Sequence, residues 1–154
     1  MSHPIFKPVL AATALVLTLV TPALADFERH RADGSVSAVM DRLQSLVEEK
    51  GATVFARVDH GQGARDAGFD LAPAELLIFG NPRLGSPVMQ EDALAGLVLP
   101  LRMLAFEDDE GQVWIAYEEV EEMVDDLDVD DDLEQLEKME DALENFARGA
   151  ASSG

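Results

Sequence analysis

From Val36 the apolar positions fall into helical spacing: Val36, Val39, Met40, Leu43, Leu46 and Val47 lie on one stripe. Ser35 stands where an N-cap belongs, and Gly51 can take the left-handed conformation that closes a helix. This predicts a first helix. The period then drops to two, as Thr53-Val54-Phe55-Ala56-Arg57-Val58-Asp59 alternates β-formers with small or polar residues and predicts a strand. Gly61, Gly63 and Gly68 bracket room for a short helical turn about Ala64 and Ala67. A buried strand is expected from about Glu75 to Phe79. Asn81-Pro82 stops it, because the residue before proline avoids the helical region and proline has no amide hydrogen for a ladder.

Pro87 to Leu97 is expected to be helical, with Met89, Ala93, Leu94 and Leu97 on one side. Leu99 to Phe106 and Gln112 to Tyr117 predict two strands joined by Asp108-Asp109-Glu110-Gly111, where glycine supplies the positive φ of a tight hairpin. Leu133, Leu136, Met139, Leu143, Phe146 and Ala147 return to helical spacing with acids turned outward. This order of elements points to an α+β fold. It is expected as a single two-layer domain, with a mostly antiparallel sheet and helices packed on one face.

The N-terminus has a different pattern. Lys7 precedes an apolar run from Val9 to Val20, and Ala23-Leu24-Ala25 offers small residues for cleavage, so residues 1–25 read as a secretory signal peptide. The run is short of the roughly 20 apolar residues that span a bilayer. Export to the periplasm or medium, with no membrane span after cleavage, is the expectation. Residues 26–35 are expected to form a mobile leader, residues 36–150 the domain, and residues 151–154 a tail.

The chain of 154 residues carries 11 Lys and Arg against 31 Asp and Glu, a formal net charge of −20. Such a surface repels nucleic acid and favours cations or basic partners. The acids concentrate between residues 107 and 144. With no Cys, disulfides, thiol catalysis and Cys-ligated metals are excluded, and stability must come from packing.

The stretch Leu76-Leu77-Ile78-Phe79-Gly80-Asn81-Pro82, with Gly85, Pro87 and Met89, resembles the signature of the bacterial domain of unknown function 302 family. Further matching residues are Val54 to His60, Ala64, Gly68, Leu71, Pro73, Leu99-Pro100-Leu101, Glu107-Asp108, Gly111, Trp114 and Tyr117. The resemblance implies a compact α+β domain that tends to form homodimers, and it assigns no biochemical role. After Tyr117 the chain departs from the family's usual Asn-Pro turn and later Arg-His pair, reading Glu118-Glu119-Val120-Glu121-Glu122-Met123 instead.

Candidate chemistry is sparse. His60 ends a strand before glycines, where an imidazole can face a cleft or simply bond to its own turn. Glu75, Asn81, Arg83, Met89, Trp114 and Tyr117 lie at strand ends or turns and join His60 as candidate rim residues of one ligand pocket. Asp126, Asp128, Asp130 and Glu137 fall at the first, third, fifth and twelfth places of an EF-hand-like window and are weak calcium candidates. Its sixth place is Asp131, where a calcium loop has glycine, so a solvated acidic helix start competes with that reading. The chain has no nucleophile elbow, phosphate-binding glycine loop or His-Glu-x-x-His pair. The leading expectation is a non-catalytic module that binds a small ligand or a protein partner, without a cofactor. The alternatives are a small enzyme using His60 with a carboxylate, or a divalent-cation binder.

Overall fold

A computed structural model describes residues 27–153, so the expected signal peptide lies outside the described residues. Five strands form one antiparallel sheet: β1 (Phe27–Arg31), β2 (Thr53–Asp59), β3 (Ala74–Gly80), β4 (Leu101–Glu107) and β5 (Val113–Glu118). Their spatial order is β1-β5-β4-β3-β2, which puts the first two strands at the edges and the consecutive β3, β4 and β5 between them. Helix α1 (Val36–Glu49) carries the chain from one edge to the other, and α5 (Glu134–Ala151) lies beside it.

Period-two alternation divides the sheet into two faces. Leu77, Phe79, Met103, Ala105 and Ile115 point to the helices and are completely or almost completely buried. They meet Val39, Met40, Leu43 and Val47 of α1 and Leu143, Phe146 and Ala147 of α5 in one core. Phe79 and Phe146 make an edge-to-face contact with ring centroids 5.6 Å apart. The intervening residues Leu76, Ile78, Leu104, Phe106 and Trp114 are only half-buried on the opposite face. The expected α+β domain with helices on one face of an antiparallel sheet is the architecture observed.

Boundaries differ in three places. The segment expected as a mobile leader contains β1, which pairs with β5 from Phe27 opposite Glu118 to Arg31 opposite Trp114. Ladder hydrogen bonds from β5 order it despite its polar composition. The helix expected from Pro87 to Leu97 instead begins at Pro82 as α3 (Pro82–Glu91), followed by a 3-10 turn at Ala93–Leu97. Asn81 caps it by accepting the Arg83 N–H at 3.0 Å, and Pro82 fits the first turn, where its missing donor costs nothing. Helix α5 extends to Ala151, one residue into the expected tail. Two further short helices are α2 (His60–Asp66) and α4 (Val120–Val124). Helix α4 falls inside the acidic segment because Val120, Met123 and Val124 are spaced to bury a face there.

Candidate functional site

The strand register decides which candidate residues can meet. Thr53 lies opposite Gly80 and Asp59 opposite Glu75, so His60 and Asn81 stand at opposite ends of the β2–β3 pair. That separation is about 20 Å for six strand residues. Trp114 sits opposite Phe106, which is opposite Ala74, and so belongs to the His60 end. The single pocket expected around His60, Asn81 and Trp114 does not form.

At the His60 end, the imidazole is exposed at the first residue of α2. Glu75 is turned to Arg57, whose Nε donates to Glu75 Oε2 at 2.6 Å while Nη1 donates to Asp41 Oδ1 at 2.6 Å. Burial works against the Arg57 charge, but hydrogen bonds to Glu75 and Asp41 outweigh it and hold the pKa above its ordinary value. Arg57 thus fastens β2 to Glu75 of β3 and to Asp41 of α1. Trp114 donates to Asp108 at the hairpin. Tyr117 points under the sheet, buried to 4% exposure and stacked on His30 with centroids 6.3 Å apart. Burial, then the neighbouring Glu140, Glu28, Glu144 and Glu119, push its phenol up to about 12. Arg83 is exposed on the first turn of α3.

The acidic window runs from an irregular segment into the first turn of α5, which contains Glu137. Residues 126–133 precede α5, and their backbone is held by carboxylates from elsewhere: Glu91 accepts the Asp130 N–H at 2.8 Å and Asp92 the Asp128 N–H at 3.2 Å. Among the described residues, no three His, Asp or Glu side chains come together in a way that could hold a metal ion.

Asn81 and Met89, by contrast, line a shared cleft of about 280 Å³ at the other end of the sheet. Three pieces of chain build it. The β3–α3 turn supplies Gly80, Asn81 and Pro82, and α3 adds Leu84, Gly85, Ser86 and Met89. The approach to β4 contributes Gly96, Leu99, Pro100 and Leu101, with the Leu99–Pro100 peptide in the cis form. Phe55 and Met139 complete the lining, Phe55 from the bulge where the β2–β3 register shifts. No ionisable side chain lines the cleft, and Asn81 and Ser86 are its two polar side chains.

A family model described as Domain of unknown function DUF302 matches residues 28–146. The chain belongs to this family. The DUF302 domain has the fold seen in the crystal structure of an uncharacterized conserved protein DUF302 from Bacillus stearothermophilus. The TM-score is 0.73 at 19% identity, covering 82% of this chain and 98% of that one. Two curated proteins from Brucella suis and Brucella abortus, each named Fluoride-specific ion channel FluC 1, are 48% identical to it over 81 residues. The matched segment is 53% of this chain but only 32% and 30% of those proteins, so this chain spans about a third of their length. Among the described residues, no helix is long and apolar enough to cross a membrane.

Some of the residues that carry the family resemblance line the cleft, namely Phe55, the Gly80-Asn81-Pro82 turn, Gly85, Met89 and Leu99-Pro100-Leu101, while others such as His60, Gly111 and Trp114 lie elsewhere. Sequence reasoning placed Asn81 and Met89 at a pocket but missed Phe55, Gly96 and Pro100. The overlooked signal was the bare backbone. A methyl added at Gly80 would lie 3.3 Å from Pro100 Cβ and 3.6 Å from the Phe55 ring, so glycine there lets both neighbours come close to the backbone.

Proposed function

We propose that this DUF302 domain is an exported, non-catalytic binding module that takes a small ligand in the cleft around Gly80. The observation that supports this reading is the make-up of the cleft, an uncharged and mainly apolar hollow assembled from the family's signature turn. An acid–base site has no comparable support, since His60 is exposed and Glu75 is engaged by Arg57. Export rests on the Lys7 start, the Val9 to Val20 run and the Ala23-Leu24-Ala25 site. A thermal-shift screen of small uncharged compounds tests the reading, because a ligand that prefers the native state raises its melting temperature. Stabilisation should be lost in Ser86→Phe, which fills the cleft from an exposed position, and kept in His60→Ala. Failure of every compound, or loss only in His60→Ala, overturns the proposal.

Homodimerisation is part of the same reading. The sheet face away from the helices has Leu76, Leu104 and Phe106 beside Arg29, Arg102 and Glu118, a mixture of apolar and oppositely charged groups that suits a second copy. Light scattering should give a dimer mass, and Leu104→Glu should give a monomer.

A second reading comes from the Brucella proteins named as fluoride channels, which contain a segment similar to this chain within a longer one. It makes the domain an accessory to membrane ion handling. Deleting it should raise the host cell's sensitivity to fluoride, and unchanged sensitivity would dismiss this reading.

A further inference from the structure

We infer that the cleft around Gly80 selects an uncharged, planar ring compound bearing a hydrogen-bond acceptor, an inference that rests on this cleft being the ligand site. Charge is the first filter. The chain carries a net −20, yet no ionisable side chain lines the cleft, so an ionic group would lose its water without gaining a counter-charge.

Shape is the second. Phe55 is 57% exposed at the β2 bulge, an unusual position for a phenylalanine with a core to enter. Its ring edge and Pro100 both approach the bare backbone of Gly80, and all three stand in the wall of the cleft, so a guest in the cleft meets the Phe55 ring. Aromatic rings pair favourably with a phenylalanine in offset or edge-to-face arrangements, a gain that an alkyl chain does not share. Met89 is 44% exposed and crosses Gly96, its Cε only 3.0 Å from where a methyl on that glycine would stand. An unbranched thioether adapts to the outline of a guest and gains from sulfur–aromatic contact.

Size is the third. A dry cavity of about 150 Å³ holds benzene, so a cleft of about 280 Å³ accommodates two fused rings. Asn81 supplies the polar contact. Its Oδ1 is occupied by the Arg83 N–H, which leaves Nδ2 as the donor that this residue can offer an acceptor on the ligand.

Isothermal titration with 1-indanone, indane and octan-2-one separates these terms in the intact chain. Indanone should bind most tightly. Phe55→Leu should weaken it by about threefold to tenfold while changing octan-2-one little. Asn81→Asp keeps the helix cap but removes the amide donor, and it should lower the preference for indanone over indane by about threefold to tenfold. Gly85→Ala serves as the folding control: its methyl would lie 3.6 Å from Leu99 Cδ1, an ordinary contact, in a helix that gains from alanine. This variant should melt no lower than the parent yet bind indanone more weakly. If octan-2-one binds as tightly as indanone, or the indanone-to-indane ratio survives Asn81→Asp, the ring proposal is overturned and the cleft reading stands. If none of the three binds, both are overturned.

Discussion

Trp114 donates its indole N–H to Asp108 Oδ2 at 2.7 Å, fastening the sheet to the hairpin between β4 and β5. The other oxygen, Asp108 Oδ1, accepts backbone N–H groups from Gln112 at 2.9 Å and Glu110 at 3.0 Å. The Trp114 bond first, and then the backbone donors, hold the Asp108 pKa below its ordinary value.

A depressed carboxylate contributes stability above its ordinary pKa of 3.8 and loses it as pH falls through the lower folded value. Asp108→Asn should therefore lower the melting temperature by a few degrees at neutral pH and flatten the acid limb below pH 4. Emission from the chain's single Trp follows both effects. Parallel acid limbs in parent and variant would show that Asp108 has no such linkage.

Tyr117 gives the opposite limb. A phenol raised from 10.0 to about 12 contributes stability fully below pH 10, and that contribution disappears as pH climbs toward 12. Because the chain has one Tyr, phenolate absorbance reports it alone. The native protein should titrate near the higher value and the urea-unfolded chain near the lower. Coincident titrations would mean that the ring is not sealed beneath the sheet.

Removing Arg57 leaves the Glu75 carboxylate, whose side chain is 12% exposed, without its partner. Arg57→Leu should cost about 1.5–3 kcal/mol, the range for hydrogen bonds to charged groups. Asp41→Ala should cost under about 1 kcal/mol, because that side chain is 68% exposed. Arg57→Lys should rescue little, since one ammonium cannot reproduce the fork that reaches both carboxylates. Urea melts of the three variants check the ranking.

Helix α1 packs tightly on α5 at Gly149, where an added methyl would lie 2.8 Å from Leu46 Cδ1. That atom is the far end of a flexible side chain, and alanine gains about 1 kcal/mol of helix propensity over glycine. Gly149→Ala should therefore stay within about 1 kcal/mol of the parent. Gly149→Val should lose about 1–3 kcal/mol through overpacking and strand-favouring branching. A tolerated valine would show that the two helices separate freely.

The amphipathic helices α1 and α5 are legible in the sequence because each buries one uninterrupted stripe. The β4–β5 hairpin is legible because Gly111, with φ of 77°, occupies a turn position that favours glycine. Strand β1 is not. Glu28, Arg29, His30 and Arg31 gain their order from β5, a partner far along the chain that no local pattern reveals. Helix α3 is obscured by Pro87 in its interior, which reads locally as a start. The site is half-legible for a related reason. Turns and strand ends mark Asn81, Met89, His60 and Trp114 alike, and only the strand register assigns them to different ends of the sheet.

The β1–β5 pairing also sets an order of events. The strand that leaves the ribosome first finds its neighbour only when residues 113–118 exist, so closing the sheet spans nearly the whole domain. Until then residues 27–31 form a loose end, with the entropy of a long loop still to be overcome. The backbone donors and acceptors that face β5 would thus stay without their ladder partners until that strand has been made. Late closure of one edge would leave the first strand free to wait for the last one, so the sheet is finished from its middle outward.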